Sequence, residues 1–166
     1  MKHHALIIAP VPLLGTDKND FFLPSDASDI IYGGKGSDKI DGGNGTDRLY
    51  GGSGKDILIG GGGQDVLYGG SGADTFVYNA ASDAGTLTTH DIIRDFKAGT
   101  DHIDFHAFMA GGHFIGSASF VADEGPSVRY VKSTGLVIGD VDGDGVADFA
   151  IKLSNHAALT ESDFIF

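Results

Sequence analysis

The chain has 166 residues, of which 11 are lysine or arginine and 23 are aspartate or glutamate, so its formal net charge is −12. Such an acidic balance argues against nucleic acid as a partner. The chain has no cysteine, which excludes disulfides and thiolate metal sites, and no apolar run reaches the length that crosses a membrane.

The acidic residues are almost all aspartates, since Glu124 and Glu161 are the only glutamates. The short aspartate side chain suits tight turns and oxygen cages for hard cations, whereas glutamate favours helices. The 27 glycines also favour tight turns over helices. Composition therefore predicts a turn-rich fold in which a hard cation such as Ca²⁺ has a role.

The first segment, residues 1–14, is predicted to be a lead-in to the main fold. The stretch from Met1 to Pro10 resembles a signal peptide only faintly, because its apolar run is short and is broken by Pro10 and Pro12. No small-residue cleavage site follows it. An apolar lead-in strand is favoured over a cleaved signal peptide.

A nine-residue repeat dominates residues 15–83. Five units keep one register, and each has aspartate at position six and an apolar residue at position eight. Two degenerate units precede them and one follows, keeping Asp20, Asp29 and Asp83 at position six. The predicted inner column at position eight comprises Phe22, Ile31, Ile40, Leu49, Leu58, Leu67 and Phe76.

Each position of the repeat has a physical reason. Glycines at positions one, two and four are expected to allow positive φ and a sharp turn whose carbonyls point inward. The aspartate then completes an oxygen cage suited to Ca²⁺. The next three residues form a short strand with its middle side chain inward, and two units make one coil, so units n and n+2 stack about 4.8 Å apart.

This pattern gives a set of candidate Ca²⁺ ligands in the turns. The main candidates are Gly34, Gly36, Asp38, Gly43, Gly45, Asp47, Gly51, Gly52, Ser53, Gly54, Asp56, Gly60, Gly62, Asp65, Gly69, Ser71 and Asp74. Further candidates are Asp20, Asp29, Asp83, Asp95, Asp140, Asp142, Asp144 and Asp148. About three to five ions are expected in the repeat region.

Stacked turns without an ion are unfavourable. Neighbouring carboxylates repel by about 1 kcal/mol per pair in water, and by more where water is partly excluded. One thin apolar column does not offset this repulsion together with the chain entropy of many glycines. The sequence therefore predicts that the repeat region is unfolded without Ca²⁺ and folded with it.

Residues 84–166 differ in composition, because glycine becomes rarer and phenylalanines appear. Alternating segments at 128–131 and 149–153 predict short strands of a small β-sandwich that caps the open end of the repeat. The predicted fold is all-β, a right-handed parallel β-roll with this C-terminal cap.

The run Asp140-Val141-Asp142-Gly143-Asp144-Gly145 matches the first half of an EF-hand loop. Position twelve is Ile151 instead of glutamate, although Asp148 occupies position nine. An Asp-Gly hairpin turn is the favoured interpretation, and a weaker Ca²⁺ site is the alternative.

His102, Asp104 and His106 alternate, so a strand would place them on one face at a spacing compatible with zinc or iron. A solvent-facing polar stripe is the favoured interpretation. The sequence has no HExxH zinc motif, no GxSxG nucleophile elbow and no phosphate-binding GK[ST]. No catalytic residue is therefore predicted.

The units GGKGSDKID, GGNGTDRLY, GGSGKDILI, GGGGQDVLY and GGSGADTFV resemble the repeats-in-toxin (RTX) nonapeptide GGxGxDxUx. The resemblance implies Ca²⁺ held between stacked turns, type I export and folding outside the cell. It also implies that each ion is bridged by aspartates of units n and n+2. The implied pairs are Asp38–Asp56, Asp47–Asp65 and Asp56–Asp74, with Asp20–Asp38 and Asp29–Asp47 less secure because their first turns depart from the glycine pattern.

The stretch HDIIRDFKAGTDHIDF at 90–105 and the tail from 127 resemble the C-terminal domain of serralysin-type metalloproteases. Similar domains occur in other type I secreted enzymes, such as epimerases. The resemblance implies a secreted, extracellular, non-catalytic module, with a type I signal in Asp163-Phe164-Ile165-Phe166 and the exporter as a partner. Two alternatives are an accessory module that binds polysaccharide beside an upstream catalytic domain, and an enzyme that uses the His102–His106 face.

Overall fold

The structure is a computed structural model that describes residues 11–166. Residues 1–10 of the predicted lead-in segment, with their faint signal-peptide pattern, lie outside the described residues. Short strands make up nearly all of the regular structure. They are β1 (Leu13–Leu14), β2 (Phe21–Phe22), β3 (Ile30–Lys35), β4 (Lys39–Gly45), β5 (Arg48–Ser53), β6 (Ile57–Gly63), β7 (Val66–Ser71), β8 (Thr75–Val77), β9 (Asp91–Ile93), β10 (His102–Asp104), β11 (His113–Phe114), β12 (Ser127–Val131), β13 (Leu136–Asp140), β14 (Phe149–Leu153) and β15 (Phe164–Ile165).

The repeat winds between two parallel sheets, with successive units contributing strands to alternate sheets. In one sheet β1, β3, β5 and β7 follow one another, and in the other β2, β4, β6 and β8 do so. Leu49 pairs with Ile31 on one side and with Leu67 on the other, so paired residues are two units apart. The prediction of an all-β parallel roll is confirmed.

The inner column fills the space between the two sheets. Its members from Ile31 to Phe76 are at most 1% exposed, whereas Phe22, at the N-terminal end of the roll, is only partly buried. Each strand places its position-eight side chain inward because strand side chains alternate between faces. The predicted column therefore forms the core of the roll.

Position-one glycines are required for a different reason from the one expected. φ is positive at Gly52 (113°) and Gly54 (138°), at positions two and four, but not at Gly51, at position one. A Cβ on Gly51 would lie 2.6 Å from Asp56 Oδ2 and 2.7 Å from the Gly69 carbonyl oxygen. Glycine at position one therefore provides space, and the expectation of positive φ there was wrong.

Strands after the repeat extend the same two sheets. The first sheet continues from β7 through β9, β14, β13, β12 and β11, and the second continues from β8 through β10 and β15. β12, β13 and β14 pair antiparallel, whereas β9 and β10 join the roll in parallel. The core is therefore continuous from the roll into the C-terminal region.

Two short helices interrupt the strands, α1 (Ala81–Ala84) and a 3₁₀ turn (Glu161–Asp163). Phe105 is fully buried, and its ring packs near those of Phe149 (5.1 Å between centroids) and Phe164 (6.1 Å between centroids).

Within residues 11–166 no helix has the length and apolarity that a membrane crossing needs.

Candidate metal centre

Aspartates form two columns, one along each line of turns, and all members except Asp20 and Asp29 are buried. Each aspartate precedes or begins a strand, so the strand stacking also stacks the carboxylates about 4.8 Å apart. One column precedes the strands of the second sheet and contains Asp20, Asp38, Asp56, Asp74 and Asp101. The other precedes or begins strands of the first sheet and contains Asp29, Asp47, Asp65 and Asp91.

Hydrogen bonds link the members of each column. The backbone N–H of Asp38 donates to Oδ1 of Asp56 at 2.8 Å, and the N–H of Asp56 donates to Oδ1 of Asp74 at 3.1 Å. The second column repeats the pattern, with the N–H of Asp47 donating to Oδ1 of Asp65 at 2.8 Å. One oxygen of each carboxylate therefore joins adjacent coils, and the pairs implied by the RTX resemblance are neighbours in the structure.

The second oxygen of six aspartates is buried and has no hydrogen-bond partner. All six side chains are at most 2% exposed. An unpaired buried carboxylate oxygen is costly unless a cation or a donor reaches it. The six atoms are Oδ2 of Asp38, Asp47, Asp56, Asp65, Asp74 and Asp91.

The surroundings of these oxygens fit a hard cation. Asp56 Oδ2 and the carbonyl oxygen of Gly69 both lie within 2.7 Å of the point that a Cβ on Gly51 would occupy. Two acceptors thus lie beside one small space, and Asp56 Oδ2 has no donor there. Carboxylate and carbonyl oxygens are the ligands that Ca²⁺ prefers, so the residues present fit the predicted ion.

Oδ2 accepts a hydrogen bond at three of the four column ends. Oδ2 of Asp20 accepts hydrogen bonds from the N–H and hydroxyl of Thr16, and Oδ2 of Asp29 accepts one from the hydroxyl of Ser25. At the other end, Oδ2 of Asp101 accepts one from the N–H of Lys97. Protein donors thus reach the terminal carboxylates of Asp20, Asp29 and Asp101, whereas Asp91, which ends the second column, keeps a free Oδ2.

Some predicted carbonyl ligands also take part in the ladder between coils. The Ser53 carbonyl accepts a hydrogen bond from the N–H of Gly36 at 2.9 Å, and the Ser71 carbonyl accepts one from the N–H of Gly54 at 2.8 Å. The other predicted glycines lie in the same stacked turns.

Burial and crowding raise the pKa of several carboxyls, which are those of Asp47, Asp56, Asp65, Asp74 and Asp91. Burial raises the pKa of Asp56 and of Asp65 to about 6, and the neighbouring aspartates add to the rise while backbone N–H donors oppose it. Burial, with Asp65 as the nearest charge, raises the pKa of Asp91 to about 8. The metal-free columns therefore resist holding their full negative charge.

These pKa values predict an acid-stabilised metal-free roll. The folded-state values of about 6 for Asp56 and about 8 for Asp91 exceed the ordinary 3.8, so the folded form binds protons more tightly. This stabilisation is present below about pH 4 and is lost as the pH rises through 6 and 8. In calcium-stripped buffer, β-signal in circular dichroism should decrease from pH 4 to 8. A metal-free signal that increases over this range would contradict the assignment.

Two members of the columns, Asp91 and Asp101, were not predicted as position-six residues. The repeat register points to Asp83 as the member after Asp65, but the N–H of Asp65 donates to Oδ1 of Asp91. Asp83 instead lies in α1, where its Oδ2 accepts a hydrogen bond from the N–H of Ala80. Asp95 lies beside the first column, and its two oxygens accept hydrogen bonds from the N–H groups of Gly69 and Gly70.

The Asp140–Gly145 loop joins β13 to β14. Oxygen atoms of Asp140, Asp142 and Asp148 lie within 4.8 Å of one another. Both oxygens of buried Asp140 accept hydrogen bonds, from the N–H groups of Gly143 and Gly145. Asp142 and Asp144 are each used in local turns, by the N–H groups of the residues two positions on. These bonds are those of a tight turn.

The alternating histidines do not form a metal cluster. His102 and Asp104 lie on β10, and the His106 side chain is exposed with Nδ1 3.3 Å from the Phe166 carbonyl oxygen. Among residues 11–166, only the Asp140 loop brings ligand atoms of three or more His, Asp or Glu side chains within 4.8 Å of one another.

A model of the peptidase M10 serralysin C-terminal family matches residues 24–166. The chain belongs to this family. Its members are non-catalytic C-terminal repeat domains of secreted proteins, and membership together with the carboxylate columns makes the chain a calcium-binding RTX module of a secreted protein. A search of curated proteins finds no match.

A solved structure of an epimerase subunit shares the fold of this chain. The AlgE6R2 subunit of the mannuronan C5-epimerase from Azotobacter vinelandii is 30% identical, with a TM-score of 0.58, covering 94% of this chain and 92% of that chain. The AlgE6R3 subunit of the same enzyme is 27% identical, with a TM-score of 0.43, and the match covers 98% of this chain and 86% of that chain.

Proposed function

We propose that Ca²⁺ binding along the two aspartate columns folds this module outside the cell, and that the folded module supports type I secretion and stability of its protein without catalysis. The observation that carries the proposal is the set of six buried Oδ2 atoms without partners. Their ligand partners are proposed to be the turn carbonyls predicted from the repeat, with Asp91 added to the predicted carboxylates.

Coupling between the ion and the fold follows from the charge of the columns. Stacked carboxylates with raised pKa values destabilise the metal-free roll at neutral pH. A bound cation reverses this effect, so the free energy of binding becomes free energy of folding. Extracellular Ca²⁺ modules bind with dissociation constants of about 0.1–1 mM, which would leave the chain unfolded in a low-calcium cytosol.

The C-terminal residues support export before folding. Asp163 is buried and accepts a hydrogen bond from the N–H of Gly99, while Phe164 packs 5.0 Å from Phe114 between ring centroids. Strand β15, which contains Phe164, pairs with β10. An exporter that reads this segment would therefore need the unfolded chain, and we propose residues 15–83 as the roll and 84–166 as the cap that carries the signal.

Deletion of residues 161–166 is expected to retain the protein inside a host that carries a matched type I exporter. The reason is that the acidic and apolar signal is lost, although the roll keeps its aspartates. Secretion is measured as the fraction of protein in the medium. Phe105→Ala is the control, because it removes the buried ring beside Phe164 and weakens the cap without changing the signal.

The control should still be secreted, although the purified variant should be about 3–5 kcal/mol less stable in Ca²⁺. Secretion that persists after the deletion but stops when residues 1–14 are removed would contradict the export proposal. Retention of both the deletion variant and Phe105→Ala would show that a folding defect alone explains retention, which would also contradict it.

A second candidate function is an accessory module that binds an acidic polysaccharide. The AlgE6R2 subunit belongs to an epimerase of mannuronan, which is a polymer of uronic acid. In this chain, stacked tyrosines and unpaired cations occupy the outer face of the first sheet. This observation favours the polysaccharide alternative over an enzyme that uses the His102–His106 face.

A further inference from the structure

Three tyrosines form a continuous stack on the outer face of the first sheet, which has nine strands. The ring centroids of Tyr32 and Tyr50 are 4.5 Å apart with planes at 8°, and those of Tyr50 and Tyr68 are 4.6 Å apart with planes at 12°. They occupy position nine of alternate units, so their spacing matches that of the strands. Because the rings cover one another's faces, the stack presents ring edges and hydroxyls.

Cations flank this stack. Arg48 lies on β5 and is exposed, and Arg94 follows β9, with its backbone N–H donating to the Leu67 carbonyl. Lys152 lies on β14 opposite Ile92 of β9. These side chains alternate with inward core residues of their strands, so they share the outer face with the tyrosines.

The cations on this face have no acidic partners. The one ion pair within residues 11–166 joins Lys35 to Asp17, so Arg48 and Arg94 lie more than 4.0 Å from any described carboxylate. Asp95, beside Arg94 in sequence, uses both oxygens on backbone amides. The outward residues of the central strands include no acid: Ile30, Tyr32, Arg48, Tyr50, Val66, Tyr68, Ile92, Arg94 and Lys152.

An acid-free basic face is unexpected on a chain of net charge −12. The outer face of the second sheet is not free of acidic residues, because it carries Asp41 and Asp104 beside Lys39. Guanidinium groups bind carboxylates through paired hydrogen bonds. The positions of Arg48 on β5 and Lys152 on β14, three strands further on, span about 14 Å, so the face suits an extended ligand with regularly spaced carboxylates.

We infer that this tyrosine and arginine face binds an acidic polysaccharide, with Arg48, Arg94 and Lys152 holding its carboxylates and the tyrosine hydroxyls holding its sugar hydroxyls. The inference rests on the second candidate function and assigns its surface. Single-stranded nucleic acid is disfavoured because its bases need open aromatic faces, and these rings are stacked on one another. The denser charge of duplex DNA would also meet the strongly acidic chain.

The test measures binding of oligomannuronate to the full chain folded in about 1 mM Ca²⁺, by isothermal titration calorimetry. The double variant Arg48→Gln/Arg94→Gln should bind at least about tenfold more weakly, because each substitution removes a charged hydrogen-bonding partner. Tyr50→Phe keeps the ring stack and should weaken binding by about threefold through loss of one hydroxyl. Lys39→Gln, on the other sheet, is the matched control and should change affinity by less than about twofold.

Calcium-dependent circular dichroism of every variant separates this inference from the proposals on which it rests. A wild-type chain that folds in Ca²⁺ but binds no oligomannuronate would overturn both the inference and the polysaccharide function, while leaving the calcium function intact. Binding that the arginine variant retains would overturn only the assigned face. Equal affinity for a neutral cello-oligosaccharide or for single-stranded DNA would contradict recognition of polymer carboxylates.

Discussion

In calcium-free buffer at neutral pH, far-UV circular dichroism of the purified chain is expected to show mostly disordered polypeptide, at least over residues 15–83. Addition of Ca²⁺ to about 0.1–1 mM should produce β-signal in one cooperative step. The carboxylate columns are the reason, because six buried oxygens without partners and carboxyl pKa values of about 6 to 8 oppose folding until a cation reaches them.

Magnesium is the control for this titration. Mg²⁺ demands near-octahedral geometry and gives up its waters reluctantly, so the same concentration should restore little signal. Nonspecific screening of the −12 net charge would instead make Mg²⁺ nearly as effective as Ca²⁺. A chain equally ordered in chelator and in Ca²⁺ would overturn coupled folding.

Asp56→Ala is expected to reduce the number of bound Ca²⁺ ions and to raise the Ca²⁺ midpoint of folding at least about tenfold. Asp56 lies in the middle of its column, hydrogen-bonded to both neighbours: Oδ1 accepts from the N–H of Asp38, and its own N–H donates to Asp74. If each ion is shared by successive aspartates, this one substitution removes a ligand from two ions. Stoichiometry and midpoint are measured by calorimetry and circular dichroism.

Two matched variants separate ligand loss from general destabilisation. Leu58→Ala, in the fully buried inner column, should cost about 2–5 kcal/mol by leaving a cavity and should keep the ion count. Asp142→Ala removes an exposed aspartate of the C-terminal loop and should leave the roll unchanged. Unchanged stoichiometry and midpoint in Asp56→Ala would show that the pairing of units n and n+2 is wrong.

The roll was predictable because its repeat couples two independent signals. Asp at position six fixes the turn, and an apolar residue at position eight fixes the inward face of the strand, as with Asp56 and Leu58. Eighteen residues separate paired positions, so period nine alone gives both the coil and the pairing register. Local chemistry and global winding agree at every unit.

The columns continue beyond the repeat, where the sequence register fails. Asp91 follows Asp65 by 26 residues and Asp101 follows Asp74 by 27, because α1 and the following turn are inserted into the coil. Both still stand two positions before a buried isoleucine, Ile93 or Ile103. The local pattern of aspartate, any residue and then an apolar residue survives, and a search for it without fixed period would have found both.

Other features depend on contacts that sequence spacing does not encode. The space needed at Gly51 follows from the position of the Gly69 carbonyl on the next coil. Satisfaction of Asp20 by Thr16 depends on how the first degenerate turn folds. The continuation of both sheets into the C-terminal region depends on long-range pairing, such as that of Ile151 with Asp91.

The most direct test of the account is an anomalous difference map from crystals grown in Ca²⁺. We expect peaks along both columns, adjacent to Oδ2 of Asp38, Asp56 and Asp74 in one and of Asp47, Asp65 and Asp91 in the other. Peaks confined to the Asp140–Gly145 loop, or no peaks beside these oxygens in a folded roll, would contradict the claim that the columns are calcium sites.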